Sequence, residues 1–381
     1  VVTVQPEGLI QEGHEIASEQ FRLPIEPIKS DLKTSGPALS VSENGDELVA
    51  SSSKVNFVFN KKTGLVSSYK VGSTEYFSEG FGLQPNFWRG PTDNDYGNGQ
   101  PKREQIWKQS SKNFNVSDAT VKMDGKNAIM TINYLLPAGN LYIVDYTIYP
   151  SGAVHVAAHF TSTEMNEAET EVSEATRTAT FTPGRDAARK EASKLTVPRI
   201  GVRFRMPVTM NQVEYFGRGP EENYWDRKAG TLVGLYKSTA EDLYFPYVRP
   251  QENGHHTDTR WVSVSSNKGK GLKIVADDLI EFNALRNSIE DFDDEEQTNL
   301  PRQWSNFTPE QIANHDEEAA KNVLRRQHHI NDVTPRNYVE VCIDLKQQGV
   351  GGYDSWGARP EPQYTLPANK DYQWGFTIIP E

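Results

Sequence analysis

Apolar residues recur at every second position along much of this chain, and that spacing limits the folds open to it. Successive side chains of a strand point to opposite faces, so a period of two gives a ribbon with two chemically different sides. Val55, Phe57 and Phe59 share a face and run into the turn Lys61-Lys62-Thr63-Gly64. Ile200, Val202, Phe204 and Met206 alternate with Arg199, Arg203 and Arg205. Val339, Val341, Ile343 and Leu345 alternate with Glu340, Cys342 and Asp344, and Tyr372, Trp374 and Phe376 repeat the pattern near the C-terminus. Many such runs, turn residues between them and little helical periodicity predict an all-β fold of antiparallel sheets.

The 381 residues allow two or three domains on length alone, although a large β-sandwich can take up as many in one unit. Hydrophobic residues make up only 36%, and 7 Trp, 16 Tyr and 16 Phe offset this by burying large areas each. No apolar stretch reaches the ~20 residues of a membrane helix. A net charge of -12 argues against nucleic acid and anionic membranes as partners. The single cysteine, Cys342, excludes an internal disulfide and reads as a small core residue within a strand. The first residue is Val and no basic-then-apolar leader follows, so the chain is expected to be a piece of a longer protein.

Three segments follow from composition. Residues 1–25 end in an expected strand, Ser18 to Leu23; residues 26–37 are a polar, proline-punctuated linker; residues 38–381 form the large β domain. Two stretches break the alternation and are expected as surface insertions. Residues 162–195 are acidic and then basic. Residues 287–327 carry an acidic run from Glu290 to Glu296 and, at Thr308-Pro309, the signature of a helix start.

Four motifs follow in order: Trp88-Arg89-Gly90-Pro91-Thr92-Asp93-Asn94-Asp95, Tyr215 to Tyr224, Pro246 to Gly254, and Gly349 to Gly357. The last places Gly351-Gly352-Tyr353-Asp354-Ser355-Trp356 in one glycine-rich run, where an indole costs hydrophobic free energy unless something covers it. From near residue 38 to the end, these motifs closely resemble the C-terminal, small-chain domain of family 2 β-galactosidases. Gly13 to Leu23 looks like the end of the preceding immunoglobulin-like domain. The resemblance implies a large β supersandwich of the galactose mutarotase-like kind within an enzyme that hydrolyses terminal β-D-galactose with retention. It places both catalytic carboxylates, and most of the binding of Mg²⁺ and Na⁺, in a separate (β/α)₈ barrel upstream. No catalytic residue, metal or cofactor is then expected in this fragment, which alone should be inactive. The implied partners are a galactoside substrate and the chain's own upstream catalytic barrel. The sequence leaves the compartment unknown, with the bacterial cytoplasm or periplasm as the expectation, and leaves a homo-oligomer open. By motif match Trp356 is the sugar-stacking tryptophan, with Asp354 and Ser355 holding its loop. Arg89, Asp93, Asp95, Arg218, Glu221, Asn223, Glu252 and Asn253 are expected as loop scaffolding or interdomain contacts. Tyr353 departs from the family's Gly-Gly-Asp-Asp-Ser-Trp form.

The residues themselves carry other readings. Glycoside hydrolysis needs two carboxyl groups about 5–5.5 Å apart for retention, and Asp93, Asp95, Glu221, Glu222, Glu252 and Asp354 are the acids in suggestive places. Against that, Asp93-Asn94-Asp95 is rich in Asx-turn formers, and Glu221 or Glu222 is placed to pair with Arg218 or Arg227. Asp93, Asp95 and Glu104 mimic a calcium-loop frame poorly, because Gly97 and Asn98 stand where a ligand and a glycine belong. The adjacent pairs His255-His256 and His328-His329 point to opposite faces and cannot share one ion. A stand-alone carbohydrate-binding or mutarotase-like domain is the alternative, with His256 or His329 and Glu252 as its acid–base pair.

Overall fold

The computed structural model describes residues 1–6, 8–24, 32–162, 195–293, 329–354 and 357–381. They fall into two compact units, Val1–Leu32 and Lys33–Glu381, which divide within the expected linker. In the first unit Val2 bridges Glu15, and Thr3 exchanges backbone hydrogen bonds with Gly13 and His14. Ser18 to Leu23 is not a strand: it ladders with no other segment among the described residues, and strand geometry needs such a ladder to satisfy its backbone groups.

The second unit is almost all β. A five-stranded antiparallel meander comes first: β1 (Ser40–Asn44), β2 (Glu47–Ser51), β3 (Val55–Asn60), β4 (Leu65–Val71) and β5 (Thr74–Glu75). β6 (Gln84–Asn86) leads into three short helices, α1 (Asp93–Gly97), α2 (Gln100–Arg103) and α3 (Gln105–Ser110). Then come β7 (Asn115–Asp124), β8 (Asn127–Leu135), β9 (Leu141–Ile148) and β10 (Val154–Phe160). They are followed by β11 (Arg199–Pro207), β12 (Gln212–Gly219), β13 (Leu232–Thr239), β14 (His256–Ser265), β15 (Gly271–Leu285), β16 (Tyr338–Gln347) and β17 (Tyr372–Pro380). Together with β6 these make a 12-stranded sheet, ordered β13-β12-β14-β15-β17-β10-β9-β8-β7. β16 pairs with β15, β11 with β16, and β6 with β11, off that path.

The period-two faces explain how the layers meet. Leu48, Phe57, Phe59 and Tyr69 of the small sheet are fully buried against the inner face of β8 and β9. The Phe57 ring lies 5.6 Å from Tyr146 and Phe59 lies 6.4 Å from Tyr134, while the Tyr69 hydroxyl donates to the Gly152 carbonyl at 2.6 Å. β11 and β16 depart from a wet-and-dry pattern. Ile200, Val202, Phe204 and Met206 are buried, but so are Arg199 and Arg203 on the opposite side. β11 lies between β6 and β16 with structure on both faces, so its arginines meet acids instead of water.

The expected insertion at 162–195 falls, from 163 to 194, outside the described residues, as do 294–328 with the Thr308-Pro309 helix start. The described part of the second stretch is not a surface excursion. Ile289 and Phe292 join the core, Asp291 is 2% exposed and bound to Arg336, and Asp293 accepts from Trp88 Nε1 at 2.7 Å. The acidic run from Glu290 to Asp293 is drawn inward because cations and an indole N–H wait there; Glu290 pairs with Arg203 at 2.8 Å and Asp293 with Lys108 at 2.7 Å.

Candidate functional site

The four motifs, far apart in sequence, are chained by contacts: the first meets the last and the third, and the third meets the second. Arg89 is fully buried and joins the first motif to the last. It binds both Asp95 oxygens, with Nη2 to Oδ2 at 2.9 Å, and donates to the carbonyls of Gln348 at 2.7 Å and Gly349 at 3.1 Å. A planar fork serves a carboxylate and two carbonyls at once, which a lysine cannot do. Thr92 caps α1: it accepts from the Asp95 N–H, and Asp95 accepts back from the Thr92 N–H. Asp93-Asn94-Asp95, expected as a turn, is therefore the first turn of a helix.

Asp226 supplies the second anchor. It accepts from the N–H groups of Val350 at 3.0 Å and Gly351 at 2.8 Å. A Cβ at Gly349 would stand 2.4 Å from its Oδ2, so glycine is needed for this approach. Asn94 is the third. With its amide turned to satisfy both groups, it donates to the Asp354 carbonyl at 3.1 Å and accepts from the Gly352 N–H at 3.2 Å. The Asp354 carboxylate in turn accepts from the Ala358 N–H at 3.1 Å, closing the loop on itself. Ser355 and Trp356 lie outside the described residues.

Behind this loop sits a buried ionic cluster. Glu252 Oε1 meets Arg199 at 2.9 Å and Asn283 Nδ2 at 3.2 Å, and its other oxygen accepts from the Gly90 N–H at 3.2 Å. Asn283 Nδ2 also donates to the Asn253 carbonyl, so its Oδ1 must face Arg199 and His255 Nδ1, the latter at 2.8 Å. The second His255 nitrogen lies 3.0 Å from Glu281, whose carboxylate also accepts the Gln347 N–H at 2.7 Å. Both imidazole nitrogens face side-chain oxygens, one of them on a carboxylate. Burial opposes protonation there, but the hydrogen bond and charge of Glu281 prevail, and the His255 pKa is raised. Burial pushes the Asp344 carboxyl up to about 7 despite Arg199 at 3.3 Å. Neither Arg199, Asn283, Glu281 nor Gln347 belongs to the sequence motifs, and no local pattern marks them.

The remaining motif residues bind one another. Asp93 meets Gln251 and Arg249, whose guanidinium lies 3.9 Å from the Tyr96 ring centre. Arg218 pairs with Asp258 at 2.6 Å, and Glu222 pairs with Arg227 at 3.0 Å and with the Tyr247 hydroxyl. Glu221 is exposed. Asn223 clamps a turn through the carbonyls of Arg218 and Glu221 and the N–H of Thr257, and Asn253 accepts from the Phe245 N–H. Asp93, Asp95 and Glu104 take separate partners and do not converge as a calcium frame would require. Among the described residues, no group of three or more His, Cys, Asp and Glu side chains is placed to hold a metal. His256 and Glu252, the acid–base pair of the mutarotase-like reading, are not brought together. His256 packs on Phe282 with its nitrogens at the Gly254 and Pro220 carbonyls, and Glu252 is committed to Arg199. His329 is exposed, 3.8 Å from Asp332.

Residues 51–378 match the family described as Beta galactosidase small chain. A β-galactosidase of Priestia megaterium is 31% identical over 371 residues, which is 97% of this chain and 30% of that protein. One of Streptococcus thermophilus is 26% identical over 375 residues, again 97% of this chain and 30% of that protein. The chain thus spans about 30% of the length of these curated relatives. Among solved structures, a galactose mutarotase related enzyme from Lactobacillus acidophilus aligns over 88% of this chain and 97% of its own, with 10% identity and a TM-score of 0.37.

Proposed function

This chain belongs to the β-galactosidase small-chain family, and we propose that it is the C-terminal portion of a family 2 enzyme that releases terminal β-D-galactose from β-galactosides with retention. In this reading its work is architectural. It walls the mouth of an active site whose two carboxylates, with any Mg²⁺ or Na⁺, reside in a separate barrel. The engagement of the motif acids supports that division: Asp95, Glu222 and Glu252 are each held by a cation and by backbone or side-chain donors.

One observation carries the reading. The run Gly349 to Asp354 is fastened at three points, by Arg89, Asp226 and Asn94, directly before Trp356. A loop fixed this closely can present an aromatic face without paying ordering entropy when the sugar arrives. Trp356 is assigned as that face, and Asp354 and Ser355 as the residues that hold it.

In the complete enzyme, Trp356→Ala is expected to raise KM for a chromogenic β-galactoside by an amount corresponding to about 1–3 kcal/mol, the range for ring stacking on an aromatic platform. Thermal stability should hardly change. Unchanged KM together with a lowered Tm would assign Trp356 to the core and remove the platform from this account.

A further inference from the structure

β15 splits the large sheet. Its first half pairs with β17 as far as Ala276 opposite Phe376, and its second half joins β16 from Glu281 opposite Asp344. Asp277, Asp278 and Leu279 are the exposed bend between, laddered to neither strand. Tyr372 to Gly375 of β17 accordingly pair with β10 on one side and have no ladder with β15 on the other. The result is an open cleft of about 530 Å³.

The floor of the cleft is low because its residues are small. Gly375, Ala157 and Asp145 form a cross-strand row over β17, β10 and β9. At Gly375 a Cβ would stand 2.3 Å from Asp277 Oδ2, so glycine lets that carboxylate lie close over the strand. Taller residues flank the row. His155 and His159 rise on the same face of β10, on either side of Ala157, each beside a carboxylate. His155 Nε2 lies 2.9 Å from Asp277 and His159 Nε2 lies 3.5 Å from Asp371. Asp145 lines the cleft and takes the Thr131 hydroxyl on one oxygen at 2.5 Å. Trp374 and Leu345 contribute apolar surface along the split.

The volume fits the usual scale of small-molecule pockets, roughly 300–1,000 Å³, and the lining decides the chemistry. Asp145, Asp277 and Asp278 are acceptors, so the ligand must be rich in donors. The acids are spread along the cleft, and no group of three or more His, Cys, Asp and Glu among the described residues is placed to hold an ion, which disfavours a point cation. Donors arranged around a ring, with a C–H face for Ala157, match what is present. We propose that this cleft is a saccharide-binding site, separate from the Trp356 loop and independent of the role given to it above.

The test is a titration of the full 381-residue chain with lactose and with cellobiose, following the imidazole NMR signals of His155 and His159. Both signals are expected to shift and saturate. Ala157→Trp fills the floor from a half-buried position on the outer sheet face and should weaken binding by about tenfold or more with little change in Tm. Asp145→Asn, which keeps shape and removes charge, should weaken it less. Trp356→Ala should leave it untouched. Shifts that persist in Ala157→Trp, shifts produced by spermidine or an extended peptide and not by sugar, or no response to either disaccharide would each overturn the proposal.

Discussion

Two neighbouring histidines show how far a strand can separate the fates of adjacent residues. His255 faces Glu281, Asn283 and, through Asn283, Arg199, and stacks on Tyr224; burial opposes its charge, but Glu281 prevails and its pKa is raised. His256 turns to Tyr215 and Phe282, and burial pulls its pKa down to about 4. Their effects on stability have opposite sign. The unfolded His256 takes up its proton near pH 6.5 and the folded one only near 4, so its contribution is full above 6.5 and lost as pH falls toward 4. His255, raised, stabilises fully below 6.5 and loses that contribution as pH rises through its folded value. Asp344, raised from 3.8 to about 7, adds in the same sense as His255, its contribution fading as pH rises toward 7. His256→Phe should therefore remove part of the acid sensitivity. Urea unfolding at pH 7.5 and pH 4 should give a variant whose loss on acidification is smaller than the parent's by about 3 kcal/mol. An equal loss in both would mean that His256 is charged or exposed in the folded chain.

Among the elements, the strands were legible and the anchors were not. Period two is a local signal, so Val55 to Phe59, Ile200 to Met206 and Val339 to Leu345 can be read directly as β3, β11 and β16. What the pattern hides is that β11 is covered on both faces, because burial of Arg199 depends on Gln347, 148 residues away, and on Glu252, 53 away. The same limit applies to the glycine-rich loop. Its glycines are visible in the sequence, but Asp226, which makes Gly349 obligatory, is known only from the fold. The first turn of α1 was hidden for a nearer reason: Asx-turn formers and helix caps use the same residues, and Thr92 decides between them. Gly351 tests the loop as an element. Its φ is 71° and a Cβ would sit 2.5 Å from the Ala358 carbonyl oxygen. Gly351→Ala should cost about 1–3 kcal/mol of local strain and speed amide exchange at Val350 and Gly351. Unaltered exchange at those amides would show that the loop is not held by the contacts described.

At the scale of the whole molecule, the chain has a continuous core, buried ion pairs that knit distant motifs together, and a family membership covering residues 51–378. Among the acids of its motifs, Asp95, Glu222 and Glu252 are each paired with an arginine. A buried charge pair that loses one partner typically costs several kcal/mol, which is ample reason for such acids to be placed as they are without any chemistry. The central claim is that this chain shapes a β-galactoside site and does not itself cleave the bond. Turnover of p-nitrophenyl β-D-galactoside by the 381-residue chain, measured alone and joined to a catalytic barrel, tests it most directly. The account predicts no turnover alone and turnover only with the barrel. Hydrolysis by the isolated chain, abolished by Glu222→Gln or Glu252→Gln, would contradict it and place the catalytic carboxylates here.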